Sequence, residues 1–289
     1  MRIHADDFGI TEQQAQDILL LCATNNHEGT LNSVSILANS PFFESVARTL
    51  KPAIKSGKLE ISLHINLVEG QPCAPANEIP LLLNKRGTFK HDFIGLLLHS
   101  FGSIKTSFYS QIVKECTAQI KRYLEVFPEQ QHALSIDSHQ HTHAIPLIFN
   151  ALLEALSDCN CTLSRIRIPT EDISLYKKCG LQKIIPWQNR LKIKLINYLC
   201  RNIQQKIPSN CTIPLFCGIG FSGEMFKVTD SLINALQAKA NSLDRDVELL
   251  FHPVSVPIEK CLDPLNKPFA QACASKNRDR EAQKLREMK

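Results

Sequence analysis

Short apolar runs alternate with longer amphipathic ones along most of the chain, and this alternation limits the folds open to it. Seven apolar runs are predicted to be strands, at about 1–5, 31–37, 59–67, 133–136, 163–168, 212–217 and 247–251. Stretches with helical spacing separate them, at about 11–25, 42–55, 104–126, 145–157, 191–205 and 232–240. Parallel strands need crossover connections of this length, so the pattern predicts an α/β fold with a parallel sheet.

The length of the chain favours one domain over residues 1–289. A chain of 289 residues with 44% hydrophobic content can bury one large core, and single α/β barrels commonly reach this size. Prolines interrupt any regular period in an excursion at about 70–102, and long excursions in compact domains are usually lids or binding loops. The charged segment 276–289 is expected to form a surface helix or a frayed tail.

Charge and cysteine content narrow the classes of protein. The formal charge of +5 is modest and, apart from the cationic end, gives no indication of nucleic-acid binding. No apolar run is long enough for a transmembrane segment and no signal peptide precedes Ile3, which predicts a soluble cytoplasmic protein. Eleven cysteines without a CxxC pair predict reduced thiols. The sequence does not decide whether the protein is a monomer or a homo-oligomer.

A histidine cluster, Asp137–His143 with the sequence DSHQHTH, directly follows the central predicted strand. Histidine is the commonest metal ligand and titrates nearest to neutrality, so three imidazoles beside a carboxylate indicate metal binding or proton transfer. The alternative is a polar turn whose histidines are merely solvated, which a lone histidine would favour more than this cluster does.

Other polar side chains also stand at the ends of predicted strands. Asp6 and Asp7 follow the first strand, His64 lies near the end of the third, Arg167 near the end of the fifth, and His252 ends the last. In parallel α/β folds, active sites gather at the carboxyl ends of the strands. Helix capping, a core position or a surface ion pair would explain each residue singly, but not their shared position.

Three segments closely resemble the signature blocks of the YdjC-like carbohydrate deacetylases, a family that includes chitooligosaccharide deacetylases. They are His4–Gly9 (HADDFG), Leu63–Gly70 (LHINLVEG) and Asp137–His143, and the shorter Arg167–Pro169 and His252–Pro253 follow in the same order. The resemblance covers residues 2 to about 256 and implies a distorted (β/α) barrel, similar to a TIM barrel, that hydrolyses N-acetyl groups on sugars. Two features depart from the family: His4 stands where Asn is usual, and the chain ends sooner after His252.

Carried over to the matching positions, the resemblance implies that Asp7, His64 and His139 bind one divalent metal ion. Two histidines and one carboxylate also make chemical sense, because they leave coordination positions open for water and a substrate carbonyl. The identity of the expected metal stays open between zinc and magnesium, because histidines favour zinc and an oxygen-rich water shell would allow magnesium.

The same resemblance implies the acid and the base. Asp6 is expected to be the general base, held by Arg167, and His252 the acid that protonates the departing amine. Supporting roles are expected for four more residues. Asp137 would orient a histidine, His141 and His143 would contact the substrate or the ligands, and Phe221 would stack on a sugar or else belong to the core.

These residues indicate the type of reaction more specifically than they indicate the substrate. An acetylated oligosaccharide, nucleotide sugar or lipid-linked sugar would fit, with the excursion and Gly218–Gly223 at the edge of the cleft. Another metal-dependent hydrolase, for instance of phosphate esters, is one alternative, and the lack of a glycine-rich phosphate loop counts against it. A non-catalytic metal-binding or carbohydrate-binding protein is the other. Asp6 and His252, which metal binding alone does not need, count against that.

Overall fold

The computed structural model describes residues 1–24 and 27–288. Its strands are β1 (Arg2–Phe8), β2 (Ala23–Thr24), β3 (His27–Glu28), β4 (Ser33–Ile36), β5 (Glu60–Ile65), β6 (Leu134–Ser138), β7 (Leu163–Ile166), β8 (Leu215–Cys217) and β9 (Val247–Phe251). Its helices are α1 (Glu12–Leu19), α2 (Phe43–Lys55), α3 (Phe93–His99), α4 (Lys105–Val126), α5 (Pro146–Asp158), α6 (Ile173–Lys178), α7 (Trp187–Gln204), α8 (Asp230–Ser242), α9 (Lys267–Cys273) and α10 (Lys276–Glu287).

Seven of the strands form one parallel sheet in the order β7-β6-β5-β4-β1-β9-β8, while β2 and β3 pair as a small antiparallel hairpin. The large sheet curls so far that its two edges meet at one point. Thr212, shortly before β8, donates its N–H to the carbonyl of Ser164 at 2.8 Å and accepts from the N–H of Ile166 at 3.1 Å. The predicted distorted (β/α) barrel of about seven mainly parallel strands is therefore confirmed.

The interior of the barrel is polar, because alternate residues of the strands point to opposite faces. On β1, Ile3 and Ala5 belong to the apolar layer beneath the helices, whereas Arg2, His4 and Asp6 point inward and are buried. Buried polar groups need partners, and serines of the neighbouring strands supply them at the base of the barrel. Arg2 donates to Ser33, Ser62 and Ser135. Hydrogen-bonded polar side chains thus line the inside of the barrel from its base to the carboxyl ends of the strands.

The excursion at 70–102 contains a helix that the sequence analysis missed. The helix is α3 (FIGLLLH), whose apolar residues leave no polar face and therefore no readable period. The segment before it is fastened to α4 by a buried carboxylate: Glu115 accepts the N–H groups of Cys73 and Ala74 at 3.0 and 2.9 Å. The start of the excursion is therefore held against α4 by hydrogen bonds.

The charged end, for which a surface helix or a frayed tail was expected, is a helix, but one side of it is buried. It forms α10, and the buried face of that helix carries Arg278, Glu281, Ala282 and Leu285. Two of these four residues are charged, so the helix has no apolar stripe from which a buried face could be predicted. The first predicted helix is shorter than expected, ending at Leu19, and its predicted end at Asn25 lies outside the described residues.

The cysteines and the helices bear on two expectations from composition, reduced thiols and the absence of a transmembrane segment. All eleven cysteines carry free thiols, including Cys159 and Cys161. Across residues 1–24 and 27–288, the helices are all too short or too polar to cross a membrane.

Candidate active site

A cleft of about 780 Å³ opens at the carboxyl ends of the strands. Its walls include the neighbours Asp6 and Asp7, His139, His252 and Arg278 of α10, which come from four distant parts of the sequence. The cleft therefore lies where parallel α/β folds place their sites.

Asp6 and Asp7 both reach this cleft although consecutive strand residues normally point to opposite faces. The register between β1 and β4 shifts between Ala5 and Phe8, so β1 contains one extra residue there. Asp7 has φ of 61°, in the left-handed region that non-glycine residues rarely adopt. This irregularity turns two neighbouring carboxylates towards one cavity.

The three expected metal ligands come together. Asp7, His64 and His139 are buried, and each offers one ligand atom such that all three atoms lie within 4.8 Å of one another. His139 Nδ1 is 2.9 Å from Asp7 Oδ1, and His64 Nε2 is 3.5 Å from the same oxygen. A histidine-carboxylate set of this kind matches the donors that divalent metal ions bind in proteins.

Each of the two candidate ligand histidines has a second carboxylate near its other ring nitrogen. His64 Nδ1 lies 2.5 Å from Asp137 Oδ1, which leaves Nε2 without a hydrogen-bond partner among the described residues. His139 Nε2 lies 3.7 Å from Glu69 Oε1. Metal-binding histidines characteristically carry such a carboxylate, so the donor set fits a bound divalent cation.

The electrostatics of the cluster favour positive charge. Burial opposes protonation of His64, but Asp6 and Asp137 outweigh it and raise its pKa to about 10. Burial likewise opposes protonation of His139, and Asp7 raises its pKa to about 9. The surrounding carboxylates therefore bind positive charge strongly, whether as protons or as a cation.

Arg167 holds Asp6 through a bidentate pair. Its NH1 and NH2 groups donate to the two carboxylate oxygens of Asp6, both at 2.8 Å, and its Nε donates to Glu248. Burial alone would raise the pKa of Asp6, but the Arg167 guanidinium holds it well below its usual value. Asp6 is therefore ionised and fixed in orientation at neutral pH.

His4, the departure from the family pattern, joins this same network. Its Nε2 lies 3.1 Å from Asp6 and 3.3 Å from Asp137, and its Nδ1 lies 2.7 Å from Ser33 Oγ. His4, Asp6 and Asp137 could by distance also hold a metal ion. However, the Arg167 guanidinium binds Asp6 and lies 3.3 Å from Asp137, so the protein itself supplies the positive charge there.

His252 lies at the edge of the cleft. Its Nε2 is 4.0 Å from Asp6 Oδ2, and its backbone N–H donates to Glu281 Oε2 on α10 at 2.6 Å. Burial lowers the pKa of His252 to about 4, although Asp7 and Asp6 oppose the shift. The expected acid is thus in reach of the expected base, but the histidine is neutral at neutral pH rather than already protonated.

The remaining candidates divide between the cleft and the core. His141 lines the cleft. His143 is fully buried and joins two strand ends, because its Nε2–H donates to the carbonyl of Arg167 at 2.6 Å and its Nδ1 contacts Ser138 Oγ. Phe221 is 2% exposed and packs edge-on against Tyr176. Of the two roles expected for Phe221, the structure places it in the core. His143 does not line the cleft and lies instead against Ser138 and Arg167.

Sequence reasoning missed two charged groups beside the ligands. Glu69 lies within the second family-like block but was not singled out, and burial raises its pKa to about 7. Arg278 donates from NH2 to Asp7 Oδ2 at 2.8 Å and occurs in the segment expected to form a surface helix or a frayed tail. No local pattern distinguishes Arg278 from the exposed arginines around it.

Comparison with known proteins adds three findings. A profile of the YdjC-like protein family matches residues 1–288. The chain is 32% identical to a carbohydrate deacetylase of Danio rerio over 168 residues, 57% of this chain and 49% of that protein. It is 25% identical to a chitooligosaccharide deacetylase of Citrobacter koseri over 147 residues, 51% of each chain. The chain thus spans about half the length of the curated relatives it matches.

A solved structure supports the fold alone. A candidate cellobiose-phosphate cleavage protein of Enterococcus faecalis aligns with a TM-score of 0.58 at 19% identity, covering 98% of this chain and 89% of that one.

Proposed function

The chain belongs to the YdjC-like protein family, and we propose that it removes N-acetyl groups from an acetylated carbohydrate by metal-dependent hydrolysis. One observation carries the proposal: an ionised, arginine-held carboxylate, a set of metal-binding donors and a neutral histidine face the same cleft. A protein that only binds metal or sugar has no need for the first and the last of these groups.

Asp7, His64 and His139 would hold the cation, with Asp137 and Glu69 orienting the two histidines. The cation, zinc or magnesium, supplies Lewis acidity, which polarises a carbonyl group and makes water easier to deprotonate.

Asp6 is proposed as the base that takes a proton from water. The Arg167 pair keeps it ionised and prevents it from rotating, and Glu248 in turn fixes Arg167. A carboxylate with a low pKa is a weak base, so Asp6 would need a bound cation to lower the pKa of the water on which it acts.

His252 is proposed to protonate the departing amine, because an amide nitrogen leaves poorly without a proton. Since the histidine is neutral, it must first receive the proton that it delivers. Asp6 Oδ2 lies 4.0 Å from His252 Nε2, a gap that one water molecule can bridge. The proton removed from water can therefore reach the amine through these two side chains.

The relatives support a carbohydrate substrate, because their names specify carbohydrates and chitooligosaccharides. We propose an N-acetylated oligosaccharide, nucleotide sugar or lipid-linked sugar for this chain. The test is acetate release from a panel of these compounds, with a chelator and after zinc or magnesium is restored. Acetate release that the chelator abolishes is expected. Sugar binding without acetate release, or phosphate release from sugar phosphates instead, would overturn the proposal.

A further inference from the structure

Exposed apolar side chains concentrate beside the cleft. Of the fourteen large apolar side chains exposed in the described residues, eight lie in just two segments, 94–104 and 184–198. We call these eight the apolar rim: Ile94, Leu98, Phe101, Ile104, Ile184, Trp187, Leu191 and Tyr198. Scattered exposed apolar residues need no explanation, but a concentrated group marks an interaction surface.

Both segments of the rim adjoin the mouth of the cleft. Phe93 and Ile94 at the start of α3 line the cleft, as do Leu195 and Ile196 of α7. Both helices also contact the turn 139–144 that carries the histidine cluster. On α7, Trp187, Leu191, Leu195 and Tyr198 recur at helical spacing, so the apolar stripe runs from the outer surface past the cleft wall.

The charge around α7 is strongly one-sided. Residues 173–223 contain no aspartate or glutamate and eight basic residues: Lys177, Lys178, Lys183, Arg190, Lys192, Lys194, Arg201 and Lys206. This +8 exceeds the +5 of the whole chain, so the other residues together carry −3 (5 less 8). Within the described part of the chain, none of the eight forms an ion pair with a carboxylate. The α7 part of the rim is therefore flanked by basic side chains that have no carboxylate partner among the described residues.

We propose that the apolar rim docks on an anionic lipid surface and that the substrate is an N-acetylated sugar carried on a lipid in that surface. A helix with Trp, Leu and Tyr on one face and Lys and Arg around it is typical of segments that lie in a membrane interface. Docking through the rim would place the cleft mouth against the headgroups. The substrate class rests on the proposed function, whereas the docking does not.

A second copy of the chain fits this surface less well. In a two-fold dimer through α7, the same patch would face itself, and each copy would bring four basic and no acidic residues of that helix. Like charges would then oppose association, whereas anionic headgroups would neutralise them.

The chain provides its own reporter, because Trp187 is its single tryptophan and is 68% exposed. The protein is titrated with vesicles of phosphatidylcholine alone, and of phosphatidylcholine and phosphatidylglycerol at about 3:1. With anionic vesicles, Trp187 emission should shift to the blue and the protein should sediment with the lipid, less so at high salt.

Two variants test the surface, and one serves as the control. Leu191→Glu and Lys194→Glu should each weaken binding to anionic vesicles by roughly tenfold or more. The control is Leu243→Glu, which replaces a similarly exposed leucine at the opposite end of the barrel, after α8, and should bind like the wild type. Absence of wild-type binding, or equal weakening in the control, would overturn the docking. So would a concentration-dependent dimer that Leu191→Glu abolishes while vesicle binding persists.

The substrate class has a separate readout. Acetate release is measured from a synthetic N-acetylhexosaminyl lipid in the same vesicles and from the soluble methyl glycoside of the same sugar. Leu191→Glu should slow the first reaction roughly tenfold and leave the second unchanged. Equal rates on the two substrates in the wild type would overturn the lipid-linked class. Vesicle binding without acetate release from either would instead contradict the proposed function and leave the docking intact.

Discussion

At the scale of single residues, neighbouring Asp6 and Asp7 offer the sharpest separation of chemistry from metal binding. Asp6→Asn should keep the metal but lose turnover by roughly a hundredfold or more, the scale of losing a positioned base. Arg167 would still contact Asp137 and Glu248, so the fold should persist. Metal content and acetate release from one preparation measure both effects.

Asp7→Asn is the matched comparison for that variant. It removes a carboxylate of the same size from the next position, and it should lose metal and turnover together. Near-normal activity of Asp6→Asn, or equal metal loss in the two variants, would refute the separate roles of base and ligand.

Glu69 gives a second prediction at this scale. Its carboxylate is fully buried, and neither oxygen has a hydrogen-bond partner within the described ranges, while Oε1 lies 3.7 Å from His139 Nε2. If it orients a metal-binding imidazole, Glu69→Gln should weaken metal affinity by roughly 10- to 100-fold. Competition with a chelator of known affinity measures this.

Glu115→Gln is the control for Glu69, since burial also raises the pKa of Glu115 to about 7. Glu115 contacts the excursion backbone instead of a histidine. A loss of metal affinity as large in Glu115→Gln would show that any buried carboxylate in this region matters, and that Glu69 has no particular role.

At the scale of helices and strands, α10 connects the end of the chain to the site. Glu281 accepts the N–H of His252 at 2.6 Å and that of Met225 at 2.9 Å. Glu281→Ala would leave the buried N–H of Met225 and the half-buried N–H of His252 without a partner, so we expect roughly 2–4 kcal/mol of destabilisation. We also expect a fall in kcat with metal content preserved, since His252 would lose its anchor.

The control lies on the same helix. Glu287 is exposed, and among the described residues its side chain accepts a hydrogen bond only from Gln283, so Glu287→Ala should change neither stability nor kcat. Denaturant unfolding and steady-state kinetics distinguish the variants. If the two behave alike, α10 does not position the acid.

The sequence predicted the elements whose local pattern matches their burial. Val247–Phe251 was predicted to be a strand and is β9 in the structure. The polar residues at the strand ends also converge on one cleft. Elements stabilised by distant partners escaped prediction. Arg278 and Glu281 are buried because Asp7, His252 and Met225 satisfy them, and these partners lie far away in sequence.

Side-chain direction was the other limit of prediction. Phe221 follows a glycine-rich turn that borders the cleft, but its ring points into the core against Tyr176. The sequence places such a residue near a site without giving the direction of its side chain. Asp7 shows the same limit, because strand alternation would have sent it away from Asp6, and a backbone irregularity reversed this.

At the scale of the whole molecule, the candidate metal site spans the middle of the sheet. Asp7 belongs to β1, His64 to β5, and His139 follows β6, so the ligands come from a block of four neighbouring strands that includes β4. A cation bound only by the folded barrel must stabilise it by mass action. At a free concentration of about 100 times Kd, the gain is roughly 2.7 kcal/mol.

For a chain of this size, that gain corresponds to a rise in Tm of about 5 °C. Eleven free thiols could bind zinc in the unfolded chain and reduce the shift, whereas magnesium avoids sulfur ligands. Thermal unfolding is therefore followed after chelation and after addition of each metal, in the wild type and in His139→Ala. The wild type should gain stability from at least one metal and the variant from neither. An equal gain in His139→Ala would place the stabilising ion elsewhere. Without the His139 ligand, an ion at this site should no longer link the four strands and should no longer raise the Tm.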